Sequence, residues 1–150
     1  MQQLQNASDP VTCAADILDA VLEVMVSVRE TCARRHGGGP TLIRFRAMGV
    51  LRKRPGATLS VLSDQLALTL SATSRLIDSL VEQGLVVRKV PAGNRRTVSL
   101  ALTAAGNKSL DAAIRETRKD LAARLEKLTP KERTAICRSM KSLRAVMEGC

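Results

Sequence analysis

The stretch from Ser71 to Leu102 decides the fold and reads SATSRLIDSLVEQGLVVRKVPAGNRRTVSLAL. In its first half, core-type residues recur at i, i+3, i+4 and i+7 from Thr73, which is the period of one helix face. In its second half, a β-rich run at 85–90, a turn at 91–94 and a strictly alternating run at 96–102 follow one another. The pattern predicts a helix over 71–83, capped by Ser71 and closed by Gly84, and then a two-stranded hairpin with a basic tip.

Two further helices are predicted immediately before this stretch. The first runs from Thr41 to about Arg54 and is stopped by Pro55-Gly56, and the second is capped by Thr58. Helix, turn, helix and basic hairpin, in this order, predict a winged helix-turn-helix domain over residues 41–103. In such a domain the second helix of the pair fits a major groove, and the hairpin tip reaches the neighbouring minor groove.

Longer helices flank this domain on both sides. Asp9-Pro10 begins the first one, whose apolar face is too wide for a helix packed on a single neighbour. Thr103 caps a helix that could continue to Leu128, and Thr129-Pro130-Lys131-Glu132 is a capping box that opens the last helix. The fold class is therefore mainly α with a small β-hairpin wing (α+β), with dimerisation helices in residues 1–40 and 104–150.

Charge is concentrated in the middle of the chain. The 150 residues carry 24 Lys and Arg against 14 Asp and Glu, a net charge of +10. Residues 1–35 contribute −2, residues 36–102 contribute +7 and residues 103–150 contribute +5. The one-signed middle block favours a polyanionic partner. Phe45 is the single aromatic residue, which argues against recognition by base stacking and thus against single-stranded nucleic acid or RNA.

Other functional classes find little support. With one histidine, His36, and four cysteines outside any C-x-x-C pair, neither a metal site nor a catalytic His constellation can be assembled, so we expect no enzyme activity, metal or cofactor. His36-Gly37-Gly38-Gly39 matches an esterase oxyanion motif, but the matching nucleophile elbow is missing and a loop is the simpler interpretation. Cys13 or Cys150 could be a redox-sensing thiol, or simply a small structural residue. No membrane-spanning run or signal peptide is evident, and we expect a cytoplasmic protein.

The middle of the chain resembles a known family. The residues that carry the resemblance are Leu62 and Leu66, the run Thr73-Ser74-Arg75-Leu76-Ile77-Asp78 with Leu80, Gly84-Leu85-Val86 with Arg88, Asn94-Arg95-Arg96, and Leu102-Thr103 with Gly106. In this order they resemble the MarR family of bacterial transcription regulators, over about residues 41–106. The family's wing usually reads Asp-Arg-Arg, so Asn94 is a departure that removes a carboxylate partner for the wing arginines.

The resemblance implies a homodimer with intertwined first, fifth and sixth helices. It would bind a pseudo-palindromic operator in double-stranded DNA and repress transcription. It also implies a pocket between the dimer arm and the winged domain for a small anionic or phenolic effector. In this chain aliphatic residues, His36, Arg44 or Arg46 would line that pocket. Release by a small molecule, release by thiol oxidation and the absence of any effector all remain open.

The DNA contacts are expected from two places. The first turns of the 71–83 helix present Ser71, Ala72, Ser74 and Arg75, of which Arg75 is the candidate for reading guanine, or else a solvated arginine. From the wing, Asn94, Arg95 and Arg96 face DNA, with Arg95 in the minor groove and Arg96 either beside it or holding the hairpin. Five other basic residues would meet phosphate or simply keep the surface positive: Arg52, Lys53, Arg54, Arg88 and Lys89. The rival function is a basic architectural protein that coats DNA without sequence preference.

Overall fold

The computed structural model describes residues 9–35, 42–90 and 98–148. Within these ranges the chain forms six helices and one two-stranded antiparallel sheet. In chain order the elements are α1 (Pro10–Arg35), α2 (Leu42–Lys53), α3 (Leu59–Leu66), α4 (Leu70–Glu82), β1 (Val86–Lys89), β2 (Ser99–Leu102), α5 (Ala104–Leu125) and α6 (Pro130–Glu148). The predicted class, mainly α with a small hairpin, is confirmed.

Side-chain caps fix where several helices begin. Asp9 accepts a hydrogen bond from the backbone N–H of Thr12 at 3.0 Å, and Thr58 accepts one from Val61 at 3.4 Å. Thr103 accepts from the N–H of Gly106 at 2.9 Å. Each cap satisfies an N–H group that has no partner inside its helix. The predicted caps at these three positions are confirmed.

The predicted cap of α4 is wrong. Thr69, not Ser71, is the N-cap, with extended backbone and a hydroxyl that accepts from the N–H of Ala72 at 3.2 Å. Thr73 reinforces this start, because its own hydroxyl donates to the carbonyl of Thr69 at 2.9 Å. Ser71 lies inside the first turn, and its hydroxyl is 3.1 Å from that of Thr69. The helix therefore begins at Leu70, two residues earlier than a cap at Ser71 would place it.

Gly84 closes α4 as predicted. Its φ of +68° lies in the left-handed region, which a glycine adopts without strain. The N–H of Gly84 donates to the carbonyl of Val81 and that of Leu85 to the carbonyl of Leu80, both at 2.9 Å. This pair of bonds is a Schellman motif, which turns the chain sharply into β1.

One apolar core joins α2, α3, α4 and the hairpin. Its fully buried members include Met48, Leu51, Leu62, Ile77 and Leu80. Thr73 is also fully buried, which confirms the predicted inward face of α4. Because these residues come from three helices, burying them sets the angle between α3 and α4 and leaves the opposite side of α4 in solvent.

The hairpin is joined to the connection between α2 and α3. Its register pairs Val86 with Leu102 and Lys89 with Ser99, so the paired strands are shorter than the runs predicted at 85–90 and 96–102. Leu100 also bridges Ala57: its N–H donates to the carbonyl of Ala57 at 2.9 Å, and its carbonyl accepts from Gly56 at 3.0 Å. A single bridge thus joins the connection between α2 and α3 to Leu100 of β2.

The C-terminal helices begin and end at defined signals. Helix α5 ends at Leu125, not at Leu128 as the apolar pattern suggested, and its 22 residues span about 33 Å. The N–H of Leu128 donates to the carbonyl of Leu125 at 3.1 Å, a tight turn that ends the helix before Thr129. Extended backbone is favoured at Thr129 because Pro130 follows it. The capping box then forms as predicted, with Thr129 and Glu132 exchanging hydrogen bonds of 2.7 and 3.3 Å.

The chain divides into two compact units, Met1–Ile114 and Arg115–Cys150. In the first unit, α1 exposes many large apolar side chains, namely Val11, Leu18, Val21, Leu22, Val24, Met25 and Val26. In the second, α6 has no buried residue and exposes Ile136, Met140, Val146 and Met147. No helix among the described residues is both long and apolar enough to span a bilayer.

Candidate nucleic-acid interface

The first turns of α4 present one continuous outward surface. Ser71 and Arg75 are exposed, and Ala72 and Ser74 beside them are half-buried. Arg75 makes no hydrogen bond or ion pair with any residue in the described ranges, so its guanidinium is available to a ligand. The structure thus places these four predicted contact residues together, at the end of the helix where N–H groups and the positive end of the dipole point outward.

The wing residues Asn94, Arg95 and Arg96 lie outside the described residues. The strands that lead to them are described, and Lys89 and Ser99 form their last pair. The hydroxyl of Ser99 donates to the carbonyl of Lys89 at 3.2 Å, which reinforces that end of the ladder. The structure therefore fixes where the chain leaves β1 and where it enters β2, and the contacts of the three wing residues stay a prediction.

An ion pair joins the hairpin to α4. The Arg88 guanidinium lies 2.6 Å from a carboxylate oxygen of Asp78, and both side chains are a little under half exposed. A pair so exposed contributes at most about 1 kcal/mol, but it orients Arg88 along α4. Sequence reasoning placed Arg88 among the general phosphate contacts and missed this partner. The signal that could have found it is the position of Asp78 on α4 and of Arg88 in the adjacent strand.

A second ion pair joins α2 to α5. Arg52 lies 2.6 Å from a carboxylate oxygen of Asp111 on α5, again with both side chains exposed. Arg52 is thus partly neutralised. By contrast Lys53, Arg54 and Lys89 are exposed and have no described partner. The five additional basic residues predicted from sequence therefore fall into two paired arginines and three open cations.

Arg44 lies between α2 and α4 with incomplete hydrogen bonding. One of its terminal nitrogens donates to the hydroxyl of Ser79 at 3.4 Å, at the outer limit of a hydrogen bond. The same hydroxyl accepts from the side-chain amide of Gln83 at 3.1 Å. The Nε atom of Arg44 is buried and has no hydrogen-bond partner among the residues that the structure describes. A half-buried guanidinium with an unsatisfied donor is costly unless something anionic or polar binds there.

Comparison with known proteins identifies the domain. Residues 39–97 match the sequence model of the MarR family. Because of this match, residues 39–97 are called the MarR-family domain. The resemblance inferred from the motifs is thereby confirmed for the part of the chain that contains α2, α3, α4 and β1. No protein of curated function matches the chain.

Solved structures share the fold of the MarR-family domain and of its flanking helices. The structure of RV1404 from Mycobacterium tuberculosis has a TM-score of 0.79 at 24% identity, covering 95% of this chain and 97% of that one. A cysteine-to-serine mutant of MarR from E. coli has a TM-score of 0.77 at 21% identity, covering 87% and 94%. CouR, a transcriptional repressor solved with a 23-mer DNA duplex, has a TM-score of 0.65 at 23% identity, covering 87% and 89%.

The remaining candidates lie outside the MarR-family domain. Cys13 is exposed in the first turn of α1, while Cys150 lies outside the described residues. Cys137 on α6 is a second exposed thiol, which sequence reasoning did not single out. The described residues contain no cluster of three or more side chains that could hold a metal ion.

Proposed function

We propose that this protein is a sequence-specific, double-stranded-DNA-binding transcription regulator that acts as a homodimer and represses transcription from a pseudo-palindromic operator. The observation that carries the proposal is the exposed start of α4. Its inward face is fixed by the buried Thr73, Ile77 and Leu80, and its outward face offers Ser71, Ser74 and an unpaired Arg75. A helix held in this way presents its N-terminal residues to base edges in a major groove.

The roles divide between reading and positioning. Arg75 is long enough to form two hydrogen bonds with a guanine edge, which discriminates bases. Ser71, Ala72 and Ser74 contact phosphate or neighbouring bases around it. Asn94, Arg95 and Arg96 in the wing contact the adjacent minor groove, where narrow regions attract arginine. CouR, which has a similar fold, is a transcriptional repressor solved with a DNA duplex, and this likeness supports duplex DNA as the partner.

Selection of bound fragments from genomic DNA, followed by footprinting, tests the proposal. We expect a few strongly enriched sites, each with two half-sites about 10 bp apart. Arg75→Ala should weaken operator binding by about 1–3 kcal/mol and relax the preference at one position of each half-site. Lys108→Ala on α5 removes the same charge from an exposed position outside α4 and is the control. Equal affinity for selected and random DNA would establish the architectural alternative instead.

A small anionic or phenolic ligand that binds at Arg44 is the proposed effector. The buried, unpartnered Nε of Arg44 favours it, because a carboxylate or phenolate would satisfy that donor. A thermal-shift screen of aromatic acids should find ligands that stabilise the wild type but not Arg44→Met. Release by thiol oxidation is tested by measuring operator binding with and without peroxide, for the wild type and for the double variant Cys13→Ser, Cys150→Ser. If neither the ligands found in the screen nor peroxide changes operator binding, both effector proposals fail.

A further inference from the structure

A shallow basic groove lies along the outer side of α2, and it brings Lys53 and Arg54, expected from the sequence to meet phosphate or to keep the surface positive, together with Arg46. It has a volume of about 260 Å³ and is lined by Arg46, Gly49, Val50, Lys53, Arg54 and Gln65. The four lining residues of α2, at 46, 49, 50 and 53, follow one helix face, and Gln65 comes from α3. Gly49 leaves the middle of the groove open, since a Cβ at this position would meet nothing within 4 Å.

The cations of this groove are not neutralised by the residues that line it. None of the described lining residues is acidic. Lys53 and Arg54 have no described partner, and Arg46 makes one long hydrogen bond of 3.4 Å, to the backbone carbonyl of Gln65. Three positive charges held at one concave surface without a counter-charge repel one another, and they attract an oxyanion that can bridge them. By contrast Arg52, between them in sequence, is paired with Asp111.

The groove is next to the helix-turn-helix. Gln65 belongs to the last turn of α3, and only Ala67, Leu68 and Thr69 separate α3 from α4. In a helix-turn-helix the first helix of the pair crosses the sugar-phosphate backbone while the second enters the major groove. The last turn of α3 thus borders the groove, and α3 is the helix that crosses the sugar-phosphate backbone in such domains.

We propose that this basic groove binds a phosphate group of the DNA backbone beside the base pairs that α4 reads. Arg46, Lys53 and Arg54 supply the charge, and the open position at Gly49 allows the phosphate to approach the helix. This contact carries no sequence information and serves to set the register of α4 on the duplex. The inference rests on the proposed function, because it requires that the domain bind duplex DNA.

A substitution at Gly49 tests the groove with little effect on the fold. In Gly49→Glu the new carboxylate sits four residues before Lys53 and three after Arg46, so it forms helix-stabilising pairs while neutralising the groove. Gly49→Ala is the matched control, because it fills the same space without charge. We expect Gly49→Glu to weaken operator and random DNA by the same factor. It should also reduce the slope of log K against log salt concentration by about 1 per protomer, with Gly49→Ala close to wild type.

A second pair of variants checks the result by removing charge. Lys53→Gln with Arg54→Gln should reduce the slope in the same way, and Lys108→Gln, which removes an exposed charge elsewhere, should not. If wild type binds an operator and Gly49→Glu behaves as Gly49→Ala, the inference is overturned while the proposed function stands. If wild type binds no operator, the proposed function itself fails. Inorganic phosphate is the probe for a free anion. If it shifts the Gly49 amide resonance of the wild type while Gly49→Glu keeps the wild-type salt slope for DNA binding, the groove binds a free anion and the proposal is also overturned.

Discussion

At the scale of single residues, Gly106 shows how closely the start of α5 fits against the end of α4. A Cβ at this position would overlap the backbone carbonyl of Leu85. The same carbonyl accepts the N–H of Thr103 at 3.1 Å, and the hydroxyl of Thr103 donates to Gly84 at 2.6 Å. The turn after α4 and the first turn of α5 are therefore joined backbone to backbone, and only glycine allows this approach.

Gly106→Ala should consequently lower the free energy of unfolding, by about 1–3 kcal/mol, because the backbone of one partner must move. Urea unfolding followed by circular dichroism measures it. Gly49→Ala is the control, since it adds the same methyl group to open space within a helix and should raise stability by about 0.5–1 kcal/mol. Equal unfolding midpoints for the two variants would show that α5 does not approach Leu85 so closely.

Residue-level contacts were only partly predictable from the sequence. The outward position of Arg75 and the caps at Asp9, Thr58 and Thr103 follow from local periodicity and local hydrogen bonding, and they are confirmed. The ion pair of Arg52 with Asp111 joins residues 59 positions apart, and its formation depends on how α5 returns across α2. Local patterns hold no information on such pairs. The resemblance included Gly106 in its motif, but its contact with Leu85 required the three-dimensional structure.

At the scale of the element, the start of α4 depends on which of two hydroxyl residues acts as its cap. Thr69 and Ser71 both have suitable side chains, so sequence alone favoured the wrong one. Leu68 packs against the core and fixes the chain just before Thr69, and Thr73 bonds back to the Thr69 carbonyl. Tertiary contacts therefore select the earlier cap.

Thr69→Ala should destabilise the protein by about 1 kcal/mol, because the N–H of Ala72 loses its acceptor. Ser71→Ala should change stability by only a few tenths of a kcal/mol, since Ser71 caps nothing in the structure. Thermal unfolding of both variants provides the measurement. A larger loss of stability in Ser71→Ala than in Thr69→Ala would show that Ser71 is the N-cap.

The capping box of α6 makes the start of that helix sensitive to acid. Hydrogen bonds from the backbone N–H and then the hydroxyl of Thr129 lower the pKa of Glu132 below its ordinary value. A lowered pKa in the folded state means that the stabilisation is complete above the ordinary glutamate pKa. It is then lost as pH falls through the lowered value.

An NMR titration should therefore give Glu132 a midpoint below that of an unstructured glutamate. The amides of the first turn of α6 should begin to exchange faster as pH falls through the same range. In Glu132→Gln the side chain can still accept the hydrogen bonds but does not titrate, so this pH dependence should disappear. An ordinary midpoint for Glu132 would mean that the box does not form in solution.

At the scale of the whole molecule, α1 and α6 each expose an apolar surface that we expect a partner to cover. Leu18 and Leu22 of α1 are more than half exposed, as are Val146 and Met147 of α6. Exposed apolar stripes of this length mark association surfaces. A second copy of this chain is the proposed partner, in line with the dimerisation helices expected from the sequence.

Sedimentation of the wild type should give a dimer at micromolar concentration, and Leu22→Asp should give a monomer that no longer protects an operator. Val61→Asp is the control for the sedimentation measurement alone, because Val61 is an exposed apolar residue outside both flanking helices. A monomeric wild type would overturn the homodimer. A dimeric Leu22→Asp would place the interface elsewhere.

The sequence predicted the structure of the winged domain better than that of the flanking helices. The winged domain followed from local signals, because α4 and the hairpin change period within one short stretch and share a core with the helices before them. The ends of α5 and the partners of α1 and α6 did not follow. An apolar stripe indicates that a surface is covered but does not identify the partner that covers it. The domain boundaries at residues 40 and 103 stay a prediction.

The bridge between Ala57 and Leu100 has a consequence for how such a protein would tolerate variation in its target. The bridge ties β2 to the segment between α2 and α3, and Ala57 and Leu100 share the apolar core with Ile77 and Leu80 of α4. The place where the strands lead into the wing is therefore fixed relative to α4. We expect operators with a base pair inserted between the α4 contacts and the flanking minor groove to bind more weakly than operators with the matched spacing.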